Sequence, residues 1–192
     1  MTTSLDFAPQ AAEVKRVIAG VRDDQLTDPT PCADTPVAAL LDHLDGLTVA
    51  FRRAAEKSPL AGGPSASADH LAADWRTKLP AQLDALVAAW QQPGAWDGQT
   101  EIAGMRMQAG AAALVGLNEV LVHGWDLAAA TGQEYRADPA SAQGCLEFGA
   151  GFAASAPEAR DSIYGPVVPV PEDASVLDRL LGQTGRDPSW RP

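Results

Sequence analysis

Residues 118–132 read NEVLVHGWDLAAATG, and both the fold and the chemistry of the chain turn on them. On a wheel of 3.6 residues per turn, Glu119, His123 and Asp126 fall within about 60° of one another. Leu114, Leu117, Leu121, Val122, Trp125 and Ala128 fill most of the remaining circumference. A helix that is apolar nearly all round is a buried helix. A carboxylate and an imidazole on such a helix must be paired, hydrogen-bonded or bound to a metal, because burying them unsatisfied is costly. The Glu-x-x-x-His spacing also places two side chains one turn apart, where both reach a single ion.

This central helix is expected from about residue 107 to 131, with Gly132 as its C-cap. Upstream, after Pro93-Gly94, residues 95–106 carry Gly98 and Gly104 and do not read as helix; one short strand or hairpin arm fits there. Residues 67–91 read as a helical region that Pro80 should kink or split. Residues 58–66, SPLAGGPSA, read as a mobile loop. Before them a helix is expected to about residue 57, introduced by Thr35 as N-cap with Pro36 at the first helical position. Leu40, Leu41, Leu44, Leu47, Thr48 and Phe51 form its apolar face, and His43 stands at the margin of that face. The preceding LTDPTPCADTP has three prolines and reads as an extended crossing segment. A first helix over residues 8–23, capped by Asp6, places Val14, Val17, Ile18 and Val21 at helical spacing.

Downstream, Asp138-Pro139 repeats the cap-plus-proline start for a helix to about residue 155, with Cys145, Leu146, Phe148 and Phe152 as core candidates. YGPVVPVP is extended, and Asp173 is expected to cap a short last helix to residue 183. The pattern is all-α: one domain over residues 1–192, an antiparallel four-helix bundle over about 6–156, and a tail over 157–192.

Composition narrows the function classes. With 14 basic against 25 acidic residues the net charge is −11, and no Lys/Arg stripe suggests a nucleic-acid partner. No run of about 18 apolar residues suggests a membrane span, and the N-terminus lacks the pattern of a signal peptide. Two cysteines, Cys32 and Cys145, are too few for a disulfide framework. A cytoplasmic monomer or homodimer is the expectation.

Bundles build metal sites from inward-facing residues on facing helices. The candidate ligands are His43, Glu119 and His123. Two imidazoles and a carboxylate suit Zn²⁺ with an open fourth position, and Fe(II), Ni²⁺ or Co²⁺ are compatible. An open position lets the ion lower the pKa of a bound water or thiol. Asp126 has three readings: it orients His123 or takes part in proton transfer, acts as a fourth ligand, or holds a neighbouring helix; support of His123 is favoured. Cys32 reads as a small buried hydrophobe, with a nucleophile at the site as the alternative. Arg106 reads as a surface ion pair before an anion contact, and His70 as solvated. Trp75, Trp90 and Trp125 should pack between helices, and Gly116 and Gly124 permit close helix approach.

Three motifs together carry a resemblance: TPCADTPVAALLDHL at 30–44, NEVLVHGWDLAAATGQ at 118–133 and VPVPEDASVLDRLLGQTGRDPSW at 168–190. Over nearly its whole length the chain resembles the actinobacterial metal-binding proteins related to mycothiol-dependent maleylpyruvate isomerase, within the DinB-like superfamily. The resemblance implies an up-down-down-up four-helix bundle and a divalent metal, usually zinc, on the positions of His43, Glu119 and His123. It also implies a thiol-cofactor transferase or isomerase in which the ion activates mycothiol toward an electrophilic substrate. Two features differ from the family pattern. Tryptophan often follows TPC there, where this chain reads Asp34-Thr35-Pro36, and the isomerase has a separate C-terminal domain where this chain has a short tail after Tyr164. A metal hydrolase and a non-catalytic metal-binding or regulatory bundle are the alternative expectations.

Overall fold

Helix α4 (Ala109–Ala130) is packed by α1 (Ala8–Gly20), α2 (Val37–Ala55) and α5 (Pro139–Ser155), while α3 (Trp75–Trp90) completes the bundle against α1 and α2. This computed structural model describes residues 5–60, 66–155, 160 and 164–192. Within the segment read as a mobile loop, residues 61–65 lie outside that set. The side chains of Leu117, Leu121, Leu127 and Ala128 are fully buried, as the all-round apolar wheel requires.

Side-chain pairings fix the direction of each helix. Val14, midway along α1, stands over Gly124, and Gln133, just past α4, donates to the Val17 carbonyl at 2.9 Å; α1 and α4 are therefore parallel. Phe51 late on α2 packs on Gly116 early on α4, whereas His43 early on α2 meets His123 late on α4, so this pair is antiparallel. Gln91 past the end of α3 reaches Asp6 ahead of α1, and Arg76 at the start of α3 reaches the Val21 carbonyl beyond α1. The course is up-down-down-up, with α1 and α2 on one diagonal. This diagonal step explains the proline-rich crossing segment. Its carbonyls at Asp28 and Leu26 accept from the amides of Val37 and Ala38, so backbone rather than the Thr35 hydroxyl caps α2.

Residues 95–108 hold more structure than the one arm expected. Strands β1 (Gln99–Ile102) and β2 (Met105–Gln108) pair antiparallel, and α4 begins at Ala109 rather than near 107. The turn residues Ala103 and Gly104 both have positive φ, at 49° and 82°, the requirement of a type I′ hairpin. Thr100 ties the hairpin down by donating to the Ala54 carbonyl at 2.8 Å. Pro80 sits in the second turn of a continuous α3; the break in the 67–91 region comes earlier, after a 3-10 turn at Ala68–His70.

Helix α5 starts as read, with the Asp138 carboxylate accepting from the Ser141 amide at 2.9 Å. Cys145 is buried, whereas Leu146, Phe148 and Phe152 are only half-buried because α5 flanks the bundle instead of entering it. Helix α6 (Val176–Gln183) packs on α5 and is capped by Ser175, which accepts from the Asp178 amide at 3.0 Å; Asp173 lies too far upstream to do so. No helix among the described residues is long and apolar enough to cross a membrane.

Candidate metal centre

His43 on α2 and His123 on α4 lie edge to face, with ring centroids 5.0 Å apart and planes at 87°. One ligand atom each from His43, Glu119 and His123 falls within 4.8 Å of the others. Nε2 of His123 is 3.1 Å from Oε2 of Glu119, and the two side chains retain 12% and 16% of their exposure. With Asn118, Val122, Tyr164 and Arg186 these residues line a cavity of about 290 Å³. The three residues selected from the wheel and the helix margin are therefore brought together at the wall of one chamber. A larger groove of about 560 Å³ along α5 and α6 holds no histidine or cysteine in its lining.

The opposite edge of the His123 ring faces a different group. Its Nδ1 is 3.0 Å from Oδ2 of Asp126, which is fully buried and does not line the cavity. Asp126 thus holds the imidazole from behind and cannot share an ion with Glu119, because the two carboxylates address different ring nitrogens. Arg186 clamps Asp126 in turn, Nε to Oδ1 at 3.3 Å and Nη2 to Oδ2 at 3.1 Å.

Cys32 belongs to this site, which corrects its reading as a buried hydrophobe. It is half-buried; its Sγ donates to Asp126 Oδ2 at 3.1 Å, accepts from Arg186 Nη2 at 3.2 Å, and stands 3.8 Å from His123 Nδ1. The loop that presents it is folded on Thr30, whose hydroxyl donates to the Thr35 carbonyl at 2.7 Å and accepts from the Cys32 amide at 3.2 Å.

Burial by itself would raise the pKa of Glu119 and Asp126, yet the hydrogen bond each makes to His123 and the positive groups nearby outweigh it and hold both below the usual carboxylate range. Burial by itself would depress His123, and hydrogen bonds with Asp126, Cys32 and Glu119 reverse that, placing the imidazole well above its ordinary value. A divalent ion at Nε2 competes with that proton and requires the nitrogen free. Tyr164 is pushed far up by burial and stays a neutral phenol, its oxygen accepting from Asn118 Nδ2 at 3.1 Å.

Three residues of this site escaped the reading of the sequence: Asn118, Tyr164 and Arg186. The signal for Arg186 was the glycine before it. Gly185 has φ of +76°, its amide bonds to the Gly182 carbonyl at 3.2 Å, and the Arg186 amide bonds to the Leu181 carbonyl at 2.8 Å. This is a Schellman cap, which turns the chain sharply after α6 and aims the next side chain inward. Arg106 and His70 take no part. Arg106 stands opposite Glu101 in the register of the hairpin, ahead of the start of α4 and about 20 Å of helix rise from His123, and His70 is exposed.

The family model of the mycothiol maleylpyruvate isomerase N-terminal domain matches residues 7–128. The chain belongs to this family. Two uncharacterized proteins of Mycobacterium tuberculosis, from strain CDC 1551 / Oshkosh and strain ATCC 25618 / H37Rv, are each 31% identical over 183 residues, 88% of this chain and 90% of theirs. No solved structure gives a significant match. The span matched to the mycothiol maleylpyruvate isomerase N-terminal domain contains Cys32, His43, Glu119, His123 and Asp126, and it stops short of Tyr164 and Arg186.

Proposed function

We propose that the chain is a divalent-metal enzyme of the thiol-cofactor kind: a mycothiol-dependent S-transferase or isomerase of the cytoplasm, acting on a small electrophile. The observation that carries this reading is the meeting of His43, Glu119 and His123 at a cavity large enough for a second molecule. The donor set fits zinc with a position left open, and nickel, cobalt or ferrous iron also suit it. Bound there, the ion supplies Lewis acidity that lowers the pKa of a thiol.

The chain's own residues do the rest. Asp126 accepts the Nδ1 proton of His123 and so leaves Nε2 as the ligand nitrogen. Arg186 keeps that carboxylate neutralised inside the protein. Two carboxylates and one guanidinium beside a divalent ion leave one positive charge, which a thiolate cancels. Tyr164 and Asn118 offer neutral hydrogen-bonding groups on the cavity wall for the polar parts of cofactor or substrate.

A hydrolase would need a general base next to a bound water. Asp126, the carboxylate held behind His123, is turned away from the cavity and engaged by three partners, which argues against this reading.

Elemental analysis of the purified protein and of His123→Ala tests the metal, and calorimetry with mycothiol on zinc-loaded protein tests the thiol. The expected results are one ion per chain, loss of that ion in the variant, and saturable thiol binding that disappears on chelation. Metal uptake with no thiol binding would overturn the enzyme reading and favour a structural or regulatory ion.

A further inference from the structure

His123 belongs to two sets of ligand-type side chains. The second consists of Cys32, His123 and Asp126, whose ligand atoms also lie within 4.8 Å of one another. Its edges measure 3.1 Å from Cys32 Sγ to Asp126 Oδ2, 3.0 Å from Asp126 Oδ2 to His123 Nδ1 and 3.8 Å from Cys32 Sγ to His123 Nδ1. Donor atoms around a tetrahedral ion with bonds of about 2.0–2.3 Å stand roughly 3.3–3.7 Å apart. The triangle therefore has nearly the dimensions of one face of a zinc site. Thiolate, imidazole and carboxylate are all zinc donors, and the sulfur makes this set softer than the one at the cavity. Two traps of comparable geometry share one imidazole, and a ring nitrogen presented to one set is withheld from the other.

A positive charge already stands against the second trap. Nη2 of Arg186 is within hydrogen-bond distance of both Cys32 Sγ and Asp126 Oδ2, Nε holds the other Asp126 oxygen, and Nη1 is anchored on the Thr184 carbonyl at 2.7 Å. The side chain is 12% exposed, and the Schellman cap behind it fixes its origin. An ion among Cys32, His123 and Asp126 would meet the guanidinium at contact range in a buried setting, where like charges repel strongly.

We propose that Arg186 is the built-in cation of this second cluster: its guanidinium takes the place of an ion beside Cys32 and Asp126, excludes metal from them, and commits His123 to offer Nε2 to His43 and Glu119. The inference depends on the metal reading given above, and cobalt separates the two, because a thiolate–cobalt contact has its own near-ultraviolet charge-transfer band.

The experiment titrates Co²⁺ alone into the wild-type protein, Arg186→Ala, Arg186→Gln and the double variant Arg186→Ala with Cys32→Ser, following stoichiometry and absorption, with circular dichroism to establish folding. Wild type is expected to bind one cobalt per chain without a thiolate band. Arg186→Ala is expected to gain the band as the ion moves onto the thiolate and Nδ1, and removing Cys32 abolishes the band. Arg186→Gln, which retains a hydrogen-bond donor but no charge, gains the band as well and serves if the alanine variant does not fold. A thiolate band in wild type overturns the proposal without reference to any variant. So does a folded charge-neutral variant with no band. Wild type that takes up no cobalt refutes the metal reading of the cavity; the band in Arg186→Ala then still upholds the blocking role, and its absence overturns that too.

Discussion

Nδ1 of His123 and Oδ2 of Asp126 lie 3.0 Å apart, one turn from each other on α4, and this contact leaves Nε2 turned toward Glu119 and the cavity. Asp126→Asn keeps the shape but removes the charge. Zinc affinity measured by calorimetry is expected to fall about 10–100-fold. The same change strands the Arg186 guanidinium, so urea unfolding should show a loss of about 3–5 kcal/mol. Affinity equal to wild type would show that Asp126 does not orient the imidazole.

An ion held by His43 and by Glu119 with His123 joins α2 to α4. Chelation should therefore lower the thermal midpoint, by the equivalent of about 2.7 kcal/mol when free zinc had stood at 100 times its Kd. His43→Ala, measured by the same scan with and without chelator, should show little or no difference. A chelator-insensitive wild type would mean that the ion does not bridge these helices.

Tyr135 predicts the alkaline behaviour. Its hydroxyl donates to the Leu121 carbonyl and accepts from Gln10 Nε2, both at 2.6 Å. Burial, and then the negative charges of Glu13 and Asp126, push its pKa well above the ordinary value. The folded state thus favours the protonated phenol. Its contribution is complete below about pH 10, where the unfolded chain also keeps the proton, and is lost as pH rises from there through the folded-state value. Tyr135→Phe should cost about 0.5–1.5 kcal/mol at neutral pH. It should also lose stability less steeply than wild type above about pH 10, read as urea midpoints across an alkaline series. Parallel alkaline slopes would reject this assignment.

Gly124 predicts a packing cost. A Cβ there would stand 2.5 Å from both Val14 Cγ2 and Tyr135 Oη, so α1 and the chain after α4 have closed onto bare backbone. Gly124→Ala should destabilise by about 1–3 kcal/mol in spite of alanine's higher helix propensity. Gly110→Ala, at an open position of the same helix, should be neutral or slightly stabilising. Equal denaturant midpoints for the two variants would contradict the close approach.

What could be read from the sequence follows the range of each signal. The burial of α4 and the shared face of Glu119, His123 and Asp126 are properties of a 3.6-residue period, visible in a window of 15 residues. His43 was legible because it stands at the margin of an apolar face. Arg186 was not, since its partners Cys32 and Asp126 lie 154 and 60 positions away, and no periodicity spans a turn that follows a helix end. Cys32 looked like a small loop hydrophobe because the turn on Thr30 that presents it is held by side-chain bonds, which composition does not display. The second hairpin strand was missed because Ala-Gly is a weaker type I′ marker than Asn-Gly. The caps of α2 and α6 each shifted because another group, the carbonyls of residues 26 and 28 or the hydroxyl of Ser175, sat closer to the orphan amides.

The long reach of Arg186 has a consequence for biosynthesis. A growing polypeptide leaves the ribosome from its N-terminus, so His43, Glu119 and His123 are made well before Arg186 has been translated. During that interval Asp126 has no guanidinium beside it, and on the proposed reading nothing yet keeps an ion from it and from Cys32 and His123. On the proposed reading the protein is guarded against a misplaced ion only once the tail has docked, and a chain stalled or clipped before Arg186 would be the species most exposed to one.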